Sequence, residues 1–117
     1  MSEDLPSPEQ LLNTAFAFRK SQVLLAAVRL GLFPALRKGA LELDAIVAEL
    51  ALHGRGVRDF LDALVSLDLP KRDDDGHYYN SPQCATYLDP EQPTYIGGVL
   101  EYLHVSYYQT WSGLAVA

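Results

Sequence analysis

The sequence predicts a mainly α fold, a winged helix-turn-helix with a small β-wing and long flanking helices. Three features predict it. Val57, Phe60, Leu61, Leu64 and Val65 recur at i, i+3, i+4, i+7 and i+8, the spacing of one helix face. The turn His53-Gly54-Arg55-Gly56 separates that helix from an earlier apolar-faced one, the arrangement of a helix-turn-helix. Lys71-Arg72, Asp73-Asp74-Asp75-Gly76 and His77-Tyr78-Tyr79-Asn80 then spell two short strands around an Asp-Gly turn.

The elements follow in order. Ser7 is placed to cap a first helix, Pro8 suits its first position and Gln10 completes a capping box. Leu11, Leu12, Ala15, Phe16 and Phe18 give that helix a broad apolar face. Arg19-Lys20-Ser21-Gln22 interrupts the pattern, and Ser21 is read as restarting a second helix. Its run Val23-Leu24-Leu25-Ala26-Ala27-Val28 is apolar on nearly all sides until Gly31 stops it. The two helices carry more apolar surface than one small core covers. Either the core is unusually thick, or Leu11, Leu12, Phe16, Phe18, Val23, Leu24, Leu25 and Val28 form a subunit interface, and the interface is the expectation.

Leu32 to Leu36 reads as a helical turn closed by Gly39, and Leu41-Glu42-Leu43 as a brief strand. The next helix has Leu43, Ile46, Val47 and Leu50 on one face, and the helix after the turn carries Arg58 and Asp62 as an i, i+4 pair. Ser81-Pro82 repeats the cap-then-proline signature ahead of a short helix reaching Leu88. After the loop Asp89 to Pro93, residues 95–117 read as one helix with Ile96, Leu100, Leu103, Tyr107, Trp111 and Leu114 along a stripe. That helix shows no stop signal before Ala117, so the chain reads as the front part of something longer.

Composition narrows the function classes. The chain has 117 residues, 49% of them hydrophobic and 21% charged, the mix of one globular domain. The net charge is −6, and all of the imbalance lies after residue 60, where only Lys71 and Arg72 face eight acids. The helix that would meet DNA offers Arg58 beside Asp59 and Asp62, and the wing tip offers three aspartates. Both docking elements repel phosphate, so no nucleic-acid partner is expected. The longest apolar run, Val23 to Val28, is too short to span a membrane. The acidic start Met1-Ser2-Glu3-Asp4 resembles no export signal, which points to the cytoplasm.

No catalytic constellation is present. Gly54-x-Gly56 is followed by Asp59, so there is no cofactor glycine loop. His53, His77 and His104 lack metal-ligand spacing, lone Cys84 reads as a small buried hydrophobe, and the aspartate triplet reads as a solvated turn. Catalytic, cofactor-binding and metal residues are therefore all expected to be none.

Arg29-Leu30-Gly31-Leu32-Phe33, then Arg58 to Leu64, then Asp74 to Pro82 resemble the N-terminal dimerisation domain of S-adenosylmethionine-dependent small-molecule O-methyltransferases, of the plant caffeate and bacterial polyketide-tailoring type. Pro93-Thr94-Tyr95-Ile96-Gly97-Gly98 and Trp111-x-Gly113-Leu114 resemble the family's linker helix. The resemblance implies a winged helix used for dimerisation, over residues 1–93, and a linker helix over 94–117 leading to a C-terminal catalytic methyltransferase domain. It implies a homodimer with intertwined first helices. It implies S-adenosylmethionine for a full-length enzyme, with no cofactor bound and no methyl transfer by this chain alone. The family's glycine loop and general-base histidine belong to the Rossmann-like domain, so His104 does not take that role. Two residues depart from the family pattern. Glu42 stands where a Ser or Thr cap is common, weakening that helix start, and Pro70 where an apolar strand residue is usual, implying a short or edge wing strand. Tyr102, Tyr107, Tyr108 and Trp111 lie on the linker helix, where they either pack against the catalytic domain or line an aromatic pocket; Tyr107 and Trp111, one turn apart, are the candidates to reach an aromatic acceptor. A winged-helix transcriptional regulator and a stand-alone dimeric ligand-binding or scaffold module are the alternatives.

Overall fold

A single 22-residue helix, α1 (Glu9–Leu30), opens the fold where the sequence suggested two. The computed structural model describes residues 5–53 and 55–116, with the side chains of residues 107, 108, 111, 112, 115 and 116 outside the described set. Ser7 Oγ accepts the Glu9 N–H at 3.1 Å and the Pro8 carbonyl accepts the Leu12 N–H at 3.0 Å, so Pro8 stands just outside the helix. Arg19-Lys20-Ser21-Gln22 does not break α1, because none of these residues opposes helical backbone strongly and the first three are exposed to water. Gly31 ends it in the left-handed conformation, φ 79°, where a side chain would be strained.

The short α2 (Leu32–Ala35) follows at once. The strand expected at Leu41 is reduced to one bridge. Leu41 N–H donates to Tyr78 O at 2.9 Å, and Tyr78 N–H donates back at 2.8 Å. Helix α3 (Leu43–Glu49) starts at Glu42 without a side-chain cap, and α4 (Val57–Ser66) starts after Gly56 at φ 81°. These two helices and their turn form the helix-turn-helix. The wing is β1 (Pro70–Arg72) antiparallel to β2 (Tyr78–Asn80), with Pro70 opposite Asn80 and Arg72 opposite Tyr78. Helix α5 (Pro82–Tyr87) is capped by Ser81, whose Oγ accepts the Cys84 N–H at 3.3 Å.

The last segment departs from a plain helix. Helix α6 (Gly97–Leu103) passes into a π-helical turn (His104–Tyr108) and then into α7 (Gln109–Val116). A π turn takes up one extra residue, so the spacing that put Ile96, Leu100, Leu103, Tyr107, Trp111 and Leu114 on one stripe does not carry across it.

One core binds these elements. Ala27 of α1, Leu32 and Phe33 of α2, Ile46 of α3, Val57, Leu61 and Leu64 of α4, Tyr78 of the wing and Cys84 of α5 are all buried together. The buried Tyr78 carries its hydroxyl to the edge of this core and donates it to Asp62 Oδ1 at 2.8 Å, while Arg72 Nη1 donates to the same oxygen at 2.9 Å. Asp62 thus ties α4 to the wing, and the Arg58 pairing suggested by helix spacing gives way to it. Arg37 clamps the loop after α5: Nε and Nη2 each reach a carboxylate oxygen of buried Asp89 at 2.6 Å. No described helix is long and apolar enough to cross a membrane.

Candidate functional site

Helix α1 divides into two halves with different fates. In the second half Leu25 and Ala27 are buried, and Val23, Leu24 and Val28 pack partly buried against the core. Two polar contacts fix this half beside the end of the chain. Arg29 Nε donates to both oxygens of Glu101 on α6, at 2.9 and 3.0 Å. Gln22 Nε2 lies 3.4 Å from His104 Nδ1 at the start of the π turn.

The first half leaves the body of the domain. Every residue from 5 to 21 is exposed, and among them are Leu11 (76%), Leu12 (48%), Phe16 (49%) and Phe18 (48%). Leu11, Ala15 and Phe18 fall at i, i+4 and i+7, with Leu12 and Phe16 beside them at i and i+4, so they form one broad face. Arg19 lies within that face, its guanidinium 4.9 Å from the centre of the Phe16 ring. Four large apolar side chains on one uncovered helix face are the surface a soluble domain hides in a partner.

Of the eight residues expected at the subunit interface, the structure gathers Leu11, Leu12, Phe16 and Phe18 on this exposed face. It sets Val23, Leu24, Leu25 and Val28 in or against the chain's own core. The backbone of Tyr107 lies in the π turn and that of Trp111 in α7, but their side chains lie outside the described residues. Further exposed apolar residues lie on α6 and just beyond it: Val99 (60%), Tyr102 (66%) and Leu103 at i, i+3 and i+4, and Val105 in the π turn.

The remaining reactive groups serve the fold. Cys84 is fully buried on α5, and burial pushes its thiol above the usual range, away from nucleophilic use. The Arg37 guanidinium holds the Asp89 carboxyl below the usual carboxylate range. Burial is the main force raising the Tyr78 phenol, with the Asp62 carboxylate adding to it. At the wing tip Asp73, Asp75 and His77 bring ligand-type atoms within 4.8 Å of one another, a grouping that sequence spacing did not reveal. Asp73 Oδ1 there accepts the N–H groups of Asp75 at 3.0 Å and His77 at 2.9 Å, which is the hydrogen bonding of a tight turn. Arg58 and Asp59 are both exposed on α4, and Asp74 and Asp75 on the wing, so the surfaces that would face DNA carry mixed or negative charge.

Comparison with known proteins gives a consistent picture. The family model described as the O-methyltransferase dimerisation domain matches residues 12–90. The tetracenomycin polyketide synthesis 8-O-methyl transferase of Streptomyces glaucescens is 37% identical over 110 residues, covering 94% of this chain and 32% of that protein. Human acetylserotonin O-methyltransferase is 36% identical over 114 residues, covering 92% of this chain and 33% of that protein. Among solved structures, human N-acetylserotonin methyltransferase in complex with SAM superposes with a TM-score of 0.84 at 34% identity, over 98% of this chain and 35% of that one. The chain thus spans about a third of the length of the relatives it matches.

Proposed function

Because this chain belongs to the O-methyltransferase dimerisation-domain family, we propose that it pairs two copies of itself through the exposed half of α1. In the same reading it serves as the dimerisation and pocket-framing module of a cytoplasmic S-adenosylmethionine-dependent O-methyltransferase. Residues 1–93 are the dimerisation fold, and residues 94–117 are the linker helix toward a C-terminal catalytic domain. The cofactor belongs to that domain. Relatives named for a polyketide and for acetylserotonin support a flat aromatic acceptor, with Tyr107 and Trp111 as wall residues on the linker helix.

The observation that carries this reading is the uncovered face of Leu11, Leu12, Phe16 and Phe18 on a helix that is otherwise well anchored. Each such side chain gains about 1.5–3 kcal/mol when fully withdrawn from water, and a twofold contact counts every one twice. Sedimentation equilibrium at micromolar concentration tests it. The wild-type chain is expected as a dimer, and Leu12→Glu or Phe16→Asp as a folded monomer with unchanged circular dichroism. A well-folded wild-type monomer overturns the proposal.

A further inference from the structure

We propose that the Tyr95 ring, seated on Gly97, is a latch that fixes the entry of α6 and so keeps that helix docked on α1 of the same chain. The inference stands apart from the dimer reading and concerns how one chain holds its last helices.

On its own α6 is a poor helix. It spans seven residues, begins with Gly97-Gly98, and has no side-chain hydrogen bond from its cap residue, Ile96. Glycine is among the weakest helix formers, and helices this short are marginal in water without tertiary support. One support lies at the far end, where Glu101 takes two hydrogen bonds from Arg29 and His104 sits beside Gln22. The other lies at the near end, around Tyr95. The Tyr95 N–H donates to Gln92 O at 3.1 Å, and the Ile96 N–H donates to Tyr87 O at 2.9 Å. The Thr94 hydroxyl donates to Thr86 O, so the backbone just ahead of α6 is tied to α5 and its loop. From that fixed point the Tyr95 side chain folds forward over the first residue of the helix. A Cβ on Gly97 would overlap Tyr95 Oη, Cζ and Cε1, whereas a Cβ on Gly98 would meet nothing within 4 Å. Gly97 is accordingly buried while its neighbour Gly98 is exposed. A side chain just before the cap, packed onto the first turn, is an arrangement that fixes the angle at which the chain enters a helix. With the ring seated, both ends of α6 are held. With the ring swung away, the glycine pair is free to act as a hinge.

Proton NMR and amide hydrogen exchange of the full chain test the latch. In the wild type the ring current of Tyr95 should move the Gly97 α-proton resonances away from ordinary glycine positions. Tyr95→Phe should keep that displacement, and Tyr95→Ala should lose it. Tyr95→Ala and Gly97→Ala should each speed exchange of the amides from Leu100 to Leu103 by about tenfold, while Leu61 and Leu64 of α4 keep wild-type rates. Gly98→Ala should not speed exchange, since it adds helix propensity at an open position. The double variant Tyr95→Ala/Gly97→Ala should exchange no faster than the faster single variant, because both changes undo one contact. Undisplaced Gly97 protons in the wild type, wild-type exchange in either single variant, or additive effects in the double variant overturns the latch. An equal acceleration in α4 makes the effect global and overturns it as well.

Discussion

At the residue scale, a few side chains carry more of the fold than their sequence neighbourhood suggests. Asp89 lies in a loop bounded by prolines, yet it is buried and takes two hydrogen bonds from Arg37. Asp89→Ala should cost about 1.5–3 kcal/mol, the worth of hydrogen bonds to a charged group. The Arg37 contact lowers the Asp89 pKa in the folded chain, so the folded state holds its proton less tightly than the unfolded one. Its contribution is complete above the unfolded value of about 3.9 and is lost as pH falls through the lower folded value. Urea midpoints should therefore drop on acidification below about pH 4, and less steeply in Asp89→Asn. Cys84 makes a second case. Fully buried and with its thiol raised, it should react with a disulfide reagent only at the rate at which the chain unfolds. A fast reaction in native buffer contradicts that placement. Ser81 shows what sequence can reveal about a single residue: its cap on α5 was legible from Ser-Pro, and Ser81→Ala should cost about 0.5–2 kcal/mol. Asp62 shows what it cannot. Its partners, Arg72 and Tyr78, are distant along the chain and meet it only after the wing folds back.

At the element scale, what was legible depended on whether an element buries a face in its own subunit. Helix α4 does, and its Val57, Leu61 and Leu64 are buried as the spacing indicated. The first half of α1 does not. Nothing in the subunit disciplines its pattern, so the polar run Arg19 to Gln22 looked like a break and the structure runs straight through it. The π turn was invisible for a related reason. Helix periodicity assumes a constant turn, and one inserted residue shifts every later position. Composition marked eight apolar residues of α1 as surplus, and packing separates the four that are exposed from the four that lie in or against the core. This division gives a sharp contrast. Leu25→Asp places an unpaired charge in the core and should unfold the chain, whereas Phe16→Asp should leave it folded. Thermal melts followed by far-ultraviolet circular dichroism distinguish the two. A folded Leu25→Asp would mean that the second half of α1 is not part of the core.

At the scale of the whole molecule, the chain keeps the shape of a winged helix without the charges that let such a shape read DNA. Its only sheet among the described residues is the two-stranded wing. An S-adenosylmethionine site of the dinucleotide-binding kind needs a glycine loop between a strand and a helix. Here the strands are three residues long, and Ser81-Pro82 leads β2 into α5 without a glycine. Methyl transfer further needs the donor held in line with the acceptor oxygen, and a base within hydrogen-bond reach of its proton. His104, the histidine within the linker helix, is engaged with Gln22 of α1. In the proposed reading, dimerisation is the property this chain expresses, and methyl transfer belongs to the catalytic domain of the full-length enzyme. Titration calorimetry with S-adenosylmethionine should accordingly show no saturable heat at micromolar chain concentration. The same preparation should still sediment as a dimer. Micromolar cofactor binding by this chain would mean that the donor site is shared with the dimerisation fold, and the division of labour would have to be redrawn.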